Sequence, residues 1–140
     1  MKLLKTWHIA ATTFPMWTSG KRQYPTITYE LLQEAPLKLI DTVRYTRKAK
    51  RKQICGIDTR TESGFTWRGK GVLAFLKSKW SIVYLDDHCL VIRFKRSLVT
   101  PAGIDVLVAQ PQMKPSSLDL TKCGLTAKEV AQLTFLPTEK

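Results

Sequence analysis

Apolar and polar residues alternate most clearly between positions 79 and 94. Trp80, Ile82 and Tyr84 interleave with Ser81, Val83 and Leu85, and Leu90, Ile92 and Phe94 interleave with Cys89, Val91 and Arg93. A period of two is that of a strand, and the polar break Asp86-Asp87-His88 between the two runs predicts a tight hairpin. Both faces carry apolar side chains, so one face is expected against a filled interior while the other is only partly wet. The same period marks strands at 6–12, 26–32, 39–46, 53–58, 65–69 and 104–109. Between the first two, Pro15, Gly20 and Pro25 forbid regular structure, whereas Phe14, Met16 and Trp17 are too apolar to be left in water. A connection of that length is predicted to be a lid or a binding loop. Glu34-Ala35-Pro36 breaks the second strand from the third, 59–64 is a loop, and Gly69 and Gly71 predict a bulge or bend before 72–76. Thr100-Pro101-Ala102-Gly103 turns the chain into the eighth strand. After Pro111 the pattern changes. Residues 116–120 begin a short helix stopped by Gly124, and Thr126 caps a second over 127–133, with Glu129 completing a capping box.

Eight strands with mostly hairpin-length connections remove their edges by closing into an antiparallel up-and-down barrel, about wide enough for one small ligand. The fold class is therefore all-β, an eight-stranded barrel with a short C-terminal helix; a two-sheet sandwich would show a similar pattern. The length of 140 residues fits a single domain over 1–140. No apolar run reaches the length of a membrane span, and Lys5, Thr6 and His8 interrupt the N-terminal stretch before it becomes the apolar core of an export signal. A cytoplasmic protein with reduced thiols is expected.

The formal net charge of +12 sets up a field that attracts nucleic acid, anionic lipid or acidic small molecules. Its densest run, 44–52, falls at the turn between the third and fourth strands, where it is either a solvated hairpin tip or a docking patch for an anionic partner. Catalytic signals are thin. His8 and His88 lie on a strand and in a turn, with no Ser or Cys nucleophile at a recognisable elbow. Asp86-Asp87 suits turn bonds better than a metal or acid pair, and Gly69-Lys70-Gly71 is too short for a phosphate loop. Cys55, Cys89 and Cys123 have no Cys-x-x-Cys spacing, so no zinc site is expected. The expectation is a non-enzyme without cofactor or metal.

Several of these segments resemble the lipocalins, especially their bacterial branch. Lys5-Thr6-Trp7-His8-Ile9-Ala10-Ala11 is similar to the family's first strand, where a Gly-x-Trp leads into a large lid loop, although the glycine is missing here. Leu85-Asp86-Asp87-His88 resembles the Asp-centred turn between the sixth and seventh strands, without its tyrosine. The arginine that closes the family's eighth strand and packs over the first-strand Trp has no counterpart in Val108-Ala109-Gln110-Pro111. The tail from Cys123 to Phe135 is similar to the closing helix, glycine and final short strand. Sister barrels with the same outline are the fatty-acid-binding proteins and the haem-binding nitrobindin type. The resemblance implies a carrier or sensor of a small hydrophobic or amphiphilic molecule, closed at the Trp7 end, with the loop 14–23 at its mouth. It also implies a possible bridge between Cys55 and Cys123, against which a cytoplasmic setting favours free thiols.

Inward faces of such a barrel gather Trp7, Ile9, Tyr29, Val43, Tyr45, Trp67 and one face of the central hairpin, with Phe14 and Trp17 above them. The same side chains would equally serve to fill a barrel that holds nothing. Arg68 and Arg93, together with Arg44, decide the ligand's charge. An inward arginine is a buried charge that calls for a carboxylated or phosphorylated amphiphile such as a fatty acid, and outward ones imply a neutral ligand or none. A second reading, a basic barrel that binds nucleic acid, draws on the net charge and on the interleaved Trp67-Arg68-Gly69-Lys70. An extension of the first has the basic tip and the lid residues Phe14, Met16 and Trp17 touching an anionic membrane transiently.

Overall fold

A computed structural model of the chain describes residues 1–97 and 101–139. The alternating segments form β1 (Thr6–Thr12), β2 (Gln23–Glu34), β3 (Leu37–Arg47), β4 (Lys50–Thr61), β5 (Gly64–Gly69), β6 (Lys77–Leu85), β7 (Cys89–Phe94) and β8 (Gly103–Val108). Each pairs antiparallel with its neighbour in sequence. Closure comes from β1, which pairs with β2 through Thr6–His8 and with β8 through His8–Thr12, so the eight strands make an up-and-down barrel. A two-residue strand, β9 (Thr134–Phe135), adds to the outer end of β1 at Ala11 and Thr12. The short helices are α1 (Pro15–Thr18), α2 (Ser117–Lys122) and α3 (Ala127–Ala131).

The strands run longer than the alternation predicts because neighbours keep pairing past the last apolar residue. β2 begins at Gln23, and a register shift between Gln23 and Thr26 accommodates Pro25, which has no N–H for the ladder. β4 reaches Thr61, which reduces the expected loop 59–64 to a two-residue turn. The basic run sits on a hairpin whose turn residues, Lys48 and Ala49, both take positive φ, 51° and 62°, the geometry that matches strand twist across a two-residue loop. The lid is not irregular throughout. Pro15 starts the single turn of α1, where its missing N–H is not needed. Beyond the bend at Gly69 to Gly71 the chain makes a 3-10 turn, Gly71–Leu73. Thr100 of the predicted turn lies outside the described residues, and Gly103 already begins β8.

Two apolar clusters account for the doubly apolar central hairpin. Inside the barrel lie Trp7, Ile9, Tyr29, Leu39, Trp80, Leu90, Ile92 and Leu107. Outside, Ala11, Val91, Ile104 and Val106 are covered by Leu120, Leu125 and Val130 of the tail. Helices this short are held by that packing and by their caps rather than by propensity. Thr126 and Glu129 form the predicted capping box at 3.1 and 3.0 Å, and Ser116 and Asp119 form another at α2. The register of β6 on β7 shifts between Ile82 and Tyr84. Trp80, Ile82 and Tyr84 therefore do not share a face. Past the shift Leu85 packs with the inner cluster and Tyr84 with the outer one.

The end away from the lid is sealed. Leu3 is buried, and its carbonyl accepts from Trp7 Nε1 at 3.0 Å. The Lys5 ammonium lies 5.1 Å from the centre of the Trp7 ring and donates to the Asp87 carbonyl at 3.1 Å. A cation thus covers Trp7 from two residues before it, in place of one after β8. Asp86 organises the β6–β7 turn. Its Oδ1 accepts from the amides of His88 and Cys89 at 2.8 and 2.7 Å, and its Oδ2 from the Tyr84 hydroxyl at 2.6 Å. All three cysteines are free. The Cys55–Cys123 bridge implied by the resemblance is therefore not formed, and the thiol that neighbours Cys123 is that of Cys89 rather than that of Cys55.

Candidate functional site

Alternate residues of the strands converge on a cavity of about 160 Å³ inside the barrel. Of the residues expected at a ligand site, Ile9, Phe14, Trp17, Tyr29, Val43 and Trp67 line it. Trp7 belongs instead to the sealed end. Tyr45 supports the lid from below, with its ring 5.8 Å from that of Trp17 and the Arg22 guanidinium 5.7 Å from its centre. Phe14 anchors the other side of the lid, edge-on to Phe94 at 5.2 Å. Two glycines make room for this arrangement. A Cβ on Gly103 would stand 2.5 Å from Phe14 Cζ, and the Trp67 indole lies so close over Gly56 that a Cβ there would collide with it.

The arginines are a correction. Arg68 and Arg93 are exposed, and Arg44 points to the outer face, where it donates to Thr28 Oγ1 at 3.3 Å. The cause is strand parity. Arg68 follows the inward Trp67, and Arg93 follows the inward Ile92 and pairs with Glu129 of α3 at 2.8 Å. Parity also removes the stacking platform, because Trp67 faces the interior while Arg68 faces water.

Charged residues of the opposite sign occupy the interior. Asp41 on β3, Asp58 on β4 and Asp105 on β8 are all buried. Asp58 Oδ1 accepts from Trp80 Nε1 at 3.0 Å, and Asp105 Oδ1 from Thr12 Oγ1 at 2.7 Å. Burial pushes Asp41 up to about 6, against a hydrogen bond with Asp58 that pulls it down. Burial likewise holds Asp105 up to about 7, with the Thr12 bond opposing it. Asp58 is raised well above the carboxylate range, by burial first and then by the charge of Asp41. Burial and the three acids also raise the Tyr29 hydroxyl. No group of three metal-ligating side chains comes together among the described residues.

Sequence reasoning passed over these acids although the signal was present. Asp41 shares the parity of Leu39, Val43 and Tyr45, and Asp105 that of Leu107, so period two already turns both inward. Trp80 and Phe94 join the wall from the central hairpin, as expected for one of its faces. A larger depression of about 450 Å³ lies outside the barrel between the β6–β7 turn and α2. Its acids, Asp86 and Asp119, are engaged in turn and cap bonds, which leaves the barrel interior as the better site.

No protein-family model and no curated protein matches the chain. Solved structures do. Its fold superposes on the siderocalin Ex-FABP with a TM-score of 0.72 at 13% identity, covering 100% of this chain and 97% of that one. The bovine lipocalin allergen Bos d 2 gives 0.66 at 12% identity, with 96% and 91% covered. A deswapped triple mutant of bovine odorant binding protein gives 0.59 at 14%, with 96% and 93% covered. At such identities the likeness is one of fold, and the fold of this chain is the closed eight-stranded barrel of the lipocalins.

Proposed function

We propose that the protein binds and carries a small, mostly apolar molecule inside the barrel, beneath the lid of Phe14 to Trp17, without chemistry upon it. The observation that carries this reading is the cavity itself, walled by aromatic and aliphatic side chains, sealed at the Leu3 and Trp7 end and covered at the other by one helical turn. Odorant binding protein and a siderocalin with dual ligand specificities are among the structures it resembles. The volume is close to that of an apolar cavity of about 150 Å³ that takes benzene, so the buried body is about one ring. A fatty acid fits this interior poorly. Its chain exceeds the volume, and its head would find a cation at the rim, on Arg22, rather than within.

The lid end also suits transient contact with an anionic membrane. Val72 and Phe75, 89% and 77% exposed, lie in the β5–β6 connection, which opens at the same end of the barrel as exposed Met16, and Lys21, Lys48, Lys70 and Lys77 lie in or beside connections of that end.

Native mass spectrometry of the protein from its source cells tests the main reading. A stoichiometric adduct of small-molecule mass is the expected result. A bare protein that instead shows salt-sensitive shifts with RNA or DNA overturns it.

A further inference from the structure

An apolar ligand alone makes no use of the acids inside the barrel. Asp41 and Asp58 are diagonal neighbours on adjacent strands, opposite Gly56 and Leu39 respectively, and turn to the same face. Asp41 Oδ1 and Asp58 Oδ2 are both shielded from water and receive no donor from the protein. A proton bridging the pair must therefore be one that the acids carry themselves. Asp105 looks into the same cavity from β8, and the cavity wall contains no Lys, Arg or His. A chain of formal charge +12 thus keeps its cations outside and gathers carboxyls within. Ionising these buried acids is costly without an opposite charge, and the partner that would let Asp41 ionise is a cation in the cavity.

We propose that the ligand is a protonated amine with an apolar body of about one ring, its ammonium held by Asp41 and Asp105 of the cavity wall with Asp58 backing Asp41, its body against Tyr29, Trp17 and Trp80. This rests on the barrel being a small-molecule site, as argued above. The acids do not converge as a metal-ligand set, and the remaining wall is aromatic, a surface that attracts organic cations. Burial raises Asp41 to about 6 and Asp105 to about 7, and an arriving ammonium favours their ionised forms, so protons still bound near neutral pH are released.

Calorimetry near neutral pH with three probes of one size, phenethylamine, 2-phenylethanol and 3-phenylpropionate, tests this on the full chain. The amine is expected to bind roughly tenfold to a hundredfold more tightly than the alcohol, with the propionate weakest. In buffers of differing ionisation enthalpy the amine releases protons on binding and the alcohol does not. Asp41→Asn lowers the amine to the level of the alcohol; should that variant not fold, proton release by the unaltered protein still decides. Equal binding of amine and alcohol without proton release overturns the inference and leaves the small-molecule reading standing. Binding of none of the three overturns both.

Discussion

The indole N–H of Trp80 on β6 reaches past β5 to Asp58 on β4, 3.0 Å from its Oδ1. The same ring stacks on Phe65, with centroids 4.5 Å apart, and leans on Tyr29 at 5.6 Å. Trp80→Phe keeps a ring there but removes the donor and leaves a buried carboxyl without its partner. The expected loss is about 2–4 kcal/mol, seen as a lower urea midpoint with an unchanged slope.

Stability should fall as the pH rises. Asp105 has a pKa of about 7 in the folded protein against 3.8 for the free side chain, and Asp41 is shifted in the same direction. Folding therefore favours the protonated acids. Their stabilising contribution is complete below about pH 4 and disappears as the pH passes 6 and then 7. Asp105→Asn keeps an acceptor for Thr12 and has no charge to bury. At about pH 8 it should exceed the unaltered protein in stability by up to about 4 kcal/mol, and its thermal melts should depend less on pH between about 5 and 8.

Gly103→Ala tests the seat of the lid. The added methyl would meet the Phe14 ring, at a cost of about 1–3 kcal/mol. The amides of Trp17 and Thr18 donate to the Phe14 carbonyl, both at 3.1 Å. Faster hydrogen exchange at those two amides is the expected signature, with exchange in the β6–β7 hairpin unchanged.

Cys89 should be the slow thiol. Burial, with Cys123 beside it, pushes its pKa up to about 12, and the thiolate is the reactive form. With iodoacetamide in mildly alkaline buffer, labelling at Cys89 lags behind labelling at Cys55, and the difference vanishes in urea. Peptide mapping by mass spectrometry separates the two sites.

Phe75→Ser addresses the membrane contact. If the loop inserts as proposed, loss of one exposed aromatic ring weakens binding to phosphatidylserine vesicles by roughly tenfold, and added salt weakens binding of both forms. Equal binding of the two proteins removes the loop from the contact.

The parts of the fold legible in the sequence are those with local causes. Asp86 marks its hairpin because its side chain bonds amides two and three residues on, and Thr126 marks α3 because Glu129 returns the cap. Parity placed Ile9, Tyr29, Val43 and Trp67 correctly on the inner face. The same rule, applied to Arg68 beside Trp67, places that arginine outside. What the sequence concealed depends on contacts between distant segments. The shift at Val83 that parts Tyr84 from Trp80 has no local signature, and the outer cluster exists because the tail folds back over β7 and β8. A cavity in place of a filled interior is a volume left between side chains of many strands, which alternation does not report.

His8 pairs with Thr26 on one side and Val108 on the other, so the seam of the barrel joins segments about 100 residues apart. Hairpins β2 to β7 can form early from neighbouring residues, but this seam must wait for β8. Until it closes, Asp41 and Asp58 lie on an open sheet in contact with water and remain ionised near neutral pH. β8 then arrives carrying Asp105, and sealing the seam withdraws all three acids from solvent together. Completion of the barrel is thereby a proton-consuming step, so this chain should fold faster in mildly acidic buffer than at neutral pH.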